Sequence, residues 1–375
     1  MSKLTKRKRS QILNALLIIG TIAVVLYIGA ANGDINDAWD AMRTAKPLWL
    51  AGAFCSWCVF VLFEMLVLHF FLLMQRIPVR LGTSVIVSLI GVFYSNVTPG
   101  ASGGQPMQVY AYKKRGIPAG FTSSGLAVKF FCYQLGLLIP SAIMWITHGA
   151  FVAEHMTDSR WFVYLGFLVN GLGVVAVVLL AISKNLVRII LTFLVKIAAR
   201  IRIVKDEART VSHLDAALND FNASVDMMVH HPLKLLFLTA LSCVQVHGLV
   251  AILYFIARAV GVDGYSYGEL VTLAYLLFIG ASCTPLPGGS GAQEGGFYLF
   301  YQNIFPTDKL LGALLLWRFF NYYFPIVLSL VFGVILDSVR TMRGKVRSVG
   351  FRHTDAPGAS PSDGSTEEDP DDELD

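Results

Sequence analysis

Two stretches decide how this chain folds: TPGASGGQP, Thr98 to Pro106, and TPLPGGSGAQEGG, Thr284 to Gly296. Aligned on Pro99 and Pro287, both spell P-G-x-S-G-x-Q. Proline ends a helix and glycine reaches positive φ, so each stretch is a breaker followed by polar side chains. Their surroundings are opposite in character. Of 375 residues, 55% are hydrophobic and 15% are charged, whereas a soluble domain carries about a quarter charged residues. Mean hydropathy is +0.61. Several apolar runs exceed the roughly 20 residues a helix needs to cross hydrocarbon. The chain reads as an all-α, polytopic helical membrane protein, broken twice by one polar loop.

Charge fixes the expected topology, because basic residues stay on the cytoplasmic side. Lys3, Lys6, Arg7, Lys8 and Arg9 make residues 1–10 a basic cytoplasmic N-terminus. The apolar run Ile12 to Ala31 follows, longer than the core of a cleaved signal peptide, and reads as a retained first span. Pro47 to Met74 returns to Arg76 and Arg80. Leu81 to Val97 then enters the first loop, and Gln105 to Tyr112, too short and polar to cross, leads to Lys113, Lys114 and Arg115. Basic residues at both ends make this a re-entrant unit. Phe121 to Thr147, Trp161 to Ile182 and Pro232 to Val260 cross in turn. Tyr267 to Cys283 meets the second loop from the outer face, Phe297 to Phe305 runs back, and Leu310 to Leu336 crosses last. The reading is about six full spans and two oppositely oriented re-entrant units, with both termini inside a bacterial cytoplasmic membrane. Opposite entry with a shared loop marks an inverted repeat, an arrangement that places broken helices and substrate near the bilayer midplane.

The membrane domain is expected over residues 11–340, with a cytoplasmic amphipathic section at 183–231. There Leu186, Ile189, Ile190, Phe193, Ile197 and Ile201 share a helix face opposite Arg188, Lys196 and Arg200, as in a helix lying among anionic headgroups. Val211, Leu214, Leu218, Phe221, Val225 and Met228 form a second stripe that packs under the bundle or docks a partner. Residues 341–375 read as a disordered, acidic cytoplasmic tail, since Phe351 to Asp375 holds nine acids and one arginine. The basic excess of the remainder reports orientation and anionic lipid, not nucleic acid. Cys55 and Cys58 have C-x-x-C spacing but lie with Cys132, Cys243 and Cys283 in apolar segments, and read as buried, reduced thiols. No metal site and no cofactor is expected.

Broken helices survive at membrane depth only against protein or a wet cavity. Ser102, Gln105, Ser290 and Gln293 bring polar side chains there, while Gly103 and Gly291 allow close backbone approach. Helix N-termini after each loop favour an anion. A Walker loop needs a lysine that neither stretch has. Tight turns between half-helices are the plainer alternative. Ionisable residues inside spans are costly unless paired or wet. Lys129 and Arg318 are candidates to meet a lipid phosphate, with Glu64 and Glu294 as resting partners or a proton-coupling pair. His69 and His247 read as structural. The pattern predicts that Ser102 and Gln105 face Ser290 and Gln293 across one cavity.

Asn96 to Tyr110, followed by Lys113-Lys114-Arg115-Gly116, resembles the first signature of the flippase-like membrane domain of lysylphosphatidylglycerol synthases. Thr284-Pro285 through Gly288-Gly289-Ser290-Gly291, with Glu294, resembles the second. The likeness spans roughly Ile12 to Arg340. It implies a helical domain that moves or binds lipids, in the best-known members flipping lysylphosphatidylglycerol outward, lowering negative surface charge and so linked to antibiotic resistance. Many members carry Glu and Arg where this chain has Gln105 and Gln108, so the resemblance assigns no acid–base role there. After Arg347 about 28 residues remain, too few to bind an aminoacyl-tRNA. The expectation is therefore a lipid translocase or lipid-binding transporter taking an amphipathic, phosphate-bearing headgroup, anionic or aminoacylated or glycosylated. The alternatives are the membrane component of a phosphatidylglycerol lysyltransferase working with a separate lipid-modifying enzyme, and a membrane scaffold.

Overall fold

The computed structural model describes residues 35–156, 159–182, 226 and 230–335, all helix or short connection with no strand among them. The expected first span, most of the section 183–231 and the acidic tail lie outside these residues. Five helices are long and apolar enough to cross a membrane: α2 (Pro47–Met74), α5 (Ala119–Thr147), α7 (Arg160–Ile182), α8 (Pro232–Ala259) and a broken last helix over Thr307–Gly333. Pro47 and Pro232 sit at helix starts, where the missing N–H costs nothing. Two short helices were not expected: α1 (Ile35–Arg43) and α6 (Gly149–His155). Ala38 and Ala41 of α1 pack on Gly312 of the last helix.

The half-helices follow from length. α3 (Leu81–Val97) has 17 residues and α9 (Tyr267–Ala281) has 15. At about 1.5 Å per residue neither reaches across a core roughly 30 Å thick. Each ends in its Pro-Gly loop. Each is followed by a helix of 10 residues, α4 (Gly104–Lys113) and α10 (Ala292–Tyr301). α10 leads to α11 (Thr307–Arg318), a π-turn at Phe319–Tyr323, α12 (Phe324–Ser329) and a second π-turn at Leu330–Ile335.

The inverted arrangement can be followed bond by bond. α2 and α8 pack antiparallel: Lys46 N–H donates to the Ala259 carbonyl at 2.9 Å, Ser56 Oγ donates to the Gly248 carbonyl at 2.7 Å, and the Phe70 and Phe237 rings meet at 5.4 Å. α3 starts beside the C-terminal end of α2, where Ser84 Oγ lies 2.9 Å from His69 Nδ1. α9 starts beside the C-terminal half of α8, where the Tyr267 ring meets that of Tyr254 at 4.7 Å and its Oη lies 2.6 Å from His247 Nε2. The two half-helices therefore enter from opposite ends of the α2–α8 pair. Each return helix closes on the root of its partner. Tyr112 of α4 donates to Ser84 at 3.2 Å, and Tyr301 of α10 donates to the Leu270 carbonyl at 2.8 Å.

The apolar core divides the same way. One cluster joins α8 to α11 through residues such as Ile256, Leu273, Phe297 and Trp317. The other joins α2 to α5 through Phe71, Val87, Tyr112 and Leu126. Val97, Tyr322 and Ile326 bridge them next to the loops. α7 presents Trp161, Tyr164, Leu168 and Leu172 outward, as a lipid-facing helix does. Of the five thiols expected to be buried only Cys132 is; Cys58, Cys243 and Cys283 are half-buried and Cys55 is exposed on α2, because a helix in lipid gains little by turning a small apolar side chain inward; all five cysteines are free.

Candidate functional site

The tips of the two half-helices touch. Gly100 N–H donates to the Pro285 carbonyl at 2.8 Å, an interaction spanning the whole repeat. The loops share a conformation up to the serine and then diverge, Gly103 having φ −83° and Gly291 φ 85°. Gly100 and Ala101 have φ of 58° and 54°; Gly288 and Gly289 have 60° and 63°. Ser102 Oγ donates to the Pro99 carbonyl at 2.9 Å, and Ser290 Oγ does the same to Pro287 at 2.9 Å. Proline sets the first φ, two left-handed residues reverse the chain, and the serine closes the turn. The motif P-G-x-S is the recipe for that turn.

Beside the first loop, Lys129 of α5 forms a buried ion pair with Glu64 of α2. Gln245 of α8 donates to the other Glu64 oxygen at 3.0 Å, and Gln108 of α4 donates to the paired oxygen at 3.4 Å. Four elements thus meet at one carboxylate. A buried charge needs such partners because desolvation is not otherwise offset. The pair opens onto a first cavity of about 460 Å³, whose wall also carries Ser102, Gln105 and Tyr133.

Beside the second loop, Arg318 Nε lies 2.7 Å from Glu294 Oε1, with both side chains fully buried. The guanidinium is then used up locally. Nη1 donates to Gln293 Oε1 at 2.7 Å and to the Gly288 carbonyl at 3.1 Å, and Nη2 donates to Ser290 Oγ at 3.0 Å. Glu294 Oε2 accepts from Gly291 N–H at 2.6 Å. The anion expected at the start of α10 is therefore the chain's own Glu294. Arg318 and Gln293 face a second cavity of about 300 Å³, with Asn96, Gln134, Asn170 and Asn321.

The two ion pairs occupy corresponding places, since Lys129 and Arg318 lie on the helix after each return hairpin. Their acids do not correspond: one comes from α2, the other from the loop itself. The polar space beside the loops has two adjoining parts. Ser102 and Gln105 line the first cavity, Gln293 lines the second, and Ser290, 2% exposed, lines neither because Arg318 covers it. Both cavities share Phe60, Val92, Ser95, Asn96, Gly100, Ala101 and Tyr133, so they adjoin along the first loop. Gly103 N–H is held by Thr98 Oγ1 at 2.8 Å, and Gly291 by Glu294, so both glycines serve the turn. Each cavity is within or near the size range of small-ligand sites.

Sequence reasoning passed over the carboxamides outside the loops. Gln134 donates to Asn170 at 2.9 Å, and Asn170 donates to Ser282 Oγ at 2.5 Å. Asn321 is turned into the second cavity by the π-turn. That turn has a cause: Pro325 lacks the N–H that would bond the Asn321 carbonyl in a regular helix. The available signal was an amide inside an apolar run, which also needs a partner in lipid. His69 and His247 are held by Ser84, Tyr267 and Tyr275, within the packing.

A family model described as the lysylphosphatidylglycerol synthase TM region matches residues 12–329 of this chain. A UPF0104 membrane protein from Archaeoglobus fulgidus is 25% identical over 314 residues, covering 82% of this chain and 91% of that protein.

Proposed function

The chain belongs to the lysylphosphatidylglycerol synthase transmembrane-region family, and on that premise we propose that it binds an amphipathic, phosphate-bearing lipid headgroup between its two broken helices and carries it across the bilayer. The observation that carries the reading is the meeting of Gly100 and Pro285 between two polar cavities, each opening onto a buried basic residue. Lipid tails dissolve in hydrocarbon unaided; the headgroup is what needs a polar path. Lys129 is the group that meets the phosphate. Its partner Glu64 keeps the Gln245 and Gln108 amides when the ammonium turns away, so the carboxylate is not stranded. Arg318 holds the second loop in shape. Separation of the loops at Gly100 widens the adjoining cavities into one passage.

Orientation follows from charge. Arg76, Arg80, Lys113, Lys114 and Arg115 gather at the end where α2 finishes, which is therefore the cytoplasmic end. Reconstitution into vesicles tests the proposal: a tail-labelled anionic, aminoacylated or glycosylated lipid should change leaflet faster with protein than without. No acceleration across that panel sinks it. A second reading draws on the family description. The chain would be the membrane part of phosphatidylglycerol lysyl transfer, served by a separate enzyme. New aminoacyl lipid in a host that lacks it, on expressing this chain with a candidate partner, would favour that reading.

A further inference from the structure

We propose that the second cavity is a compartment for an uncharged, polyhydroxylated group, such as glycerol, inositol or a sugar, carried on the headgroup whose phosphate meets Lys129 in the first. The inference deepens the headgroup reading above and rests on it. Its basis is the chemistry of the wall. Five carboxamides converge there from five separate elements: Asn96 of α3, Gln134 of α5, Asn170 of α7, Gln293 of α10 and Asn321 of the π-turn. The one formal charge among the lining residues is Arg318. It is neutralised from behind by Glu294, and its remaining donors go to Ser290, Gln293 and Gly288. A phosphate or an ammonium placed here finds no free countercharge.

A hydroxyl group both donates and accepts, and a carboxamide answers both demands. Much of the amide set is spent on mutual bonds that fix its geometry. Gln134 donates to Asn170, Asn170 donates to Ser282, Asn96 donates to the Val92 carbonyl at 2.9 Å, and Asn321 donates to Gln293 at 3.3 Å. What remains without a partner among the described residues is Gln134 Oε1, Asn96 Oδ1 and Gln293 Nε2: two acceptors and one donor on a rigid frame. The rings of Phe60, Tyr133 and Tyr322 supply flat apolar wall for the C–H faces of a polyol. Asn96 and Tyr133 also line the first cavity, so one headgroup can reach both.

The test uses the full-length protein in vesicles with three tail-labelled lipids of identical acyl chains. Phosphatidylinositol carries phosphate and polyol, phosphatidic acid carries phosphate alone, and phosphatidylethanolamine carries phosphate and amine. A site built to bond hydroxyls discriminates strongly against analogues lacking them, so phosphatidylinositol should move at least about tenfold faster than the other two. Gln134→Leu and Asn321→Leu, made separately, should bring that ratio towards one. Lys129→Met should slow all three. Equal rates in the unaltered protein overturn the polyol assignment while leaving lipid movement intact. If no lipid moves, translocation fails, and native mass spectrometry of the same lipids bound in detergent decides the polyol preference by itself: tighter retention of phosphatidylinositol supports it, and equal retention overturns it. Displacement of bound phosphatidylinositol by an equal concentration of soluble inositol phosphate would keep the chemistry but overturn the lipid as its source.

Discussion

Ala101 is the one residue of the two loops that sits in left-handed space without being glycine, and its counterpart Gly289 shows what the turn prefers. Left-handed backbone costs an L-residue about 1 kcal/mol or more. Ala101→Gly should therefore leave stability unchanged or raise it by about that amount. Gly288→Ala should lose considerably more, because a Cβ there overlaps the Tyr322 ring as well as adding strain. Thermal midpoints in detergent check both. The Glu64–Lys129 pair makes a sharper prediction. Removing one partner of a buried pair costs about 3–5 kcal/mol, whereas replacing both by apolar residues of similar size is often close to neutral. Glu64→Met or Lys129→Met alone should lower the unfolding midpoint strongly, and the double variant should recover most of the loss. If the singles are as stable as the parent protein, the pair is solvated and the first cavity is wetter than its geometry implies. Activity should stay low in all three, which separates stability from transport.

At the level of elements, the duplicated loop was the most legible feature of the sequence, for a physical reason. Proline fixes φ and glycine admits left-handed backbone, so P-G-x-S gives the same reversal at both sites, and its recurrence announced a repeat. The half-helices were legible by length and the long spans by hydropathy. α1 and α6 were not, because a short amphipathic helix at a surface is fixed by what it packs on, here Gly312 for α1. The pairing of Lys129 with Glu64 and of Arg318 with Glu294 was legible in outline, since a charge in lipid requires a partner. The make-up of the second cavity's wall was not. It depends on a π-turn set by Pro325 and on Arg318 being consumed by its own loop, neither of which leaves a periodic trace. That gives a prediction at this scale. Pro325→Ala restores an N–H and lets Phe319–Tyr323 relax towards regular helix, turning Asn321 away from the second cavity. Lipid movement should fall several-fold with little change in midpoint, and a midpoint that collapses instead would mean the turn is needed for folding.

Considered whole, the molecule is symmetric in its parts and asymmetric in their exposure. Ser102 is exposed and Ser290 is buried, although they hold equivalent places in equivalent turns. The difference has a local cause: Arg318, paired with Glu294, bonds Ser290 Oγ and covers it, whereas Lys129 is paired with Glu64 and leaves Ser102 open. Lipid movement through the second half then requires the Gly100–Pro285 bond to open and Arg318 to swing off Ser290. The prediction concerns accessibility in oriented vesicles, in a background with the native cysteines replaced. Ser102→Cys should react rapidly with a membrane-impermeant maleimide added on the side of Arg80 and Lys113. Ser290→Cys should be protected in the absence of lipid cargo and should react from the opposite side during turnover, at the expense of Ser102→Cys. A ligand can only move such an equilibrium by its differential affinity for the two states, so the shift must scale with the lipid supplied. Simultaneous reactivity of both cysteines from one side would describe an open channel. Permanent protection of Ser290→Cys under turnover would confine movement to the first half and make the second a fixed brace.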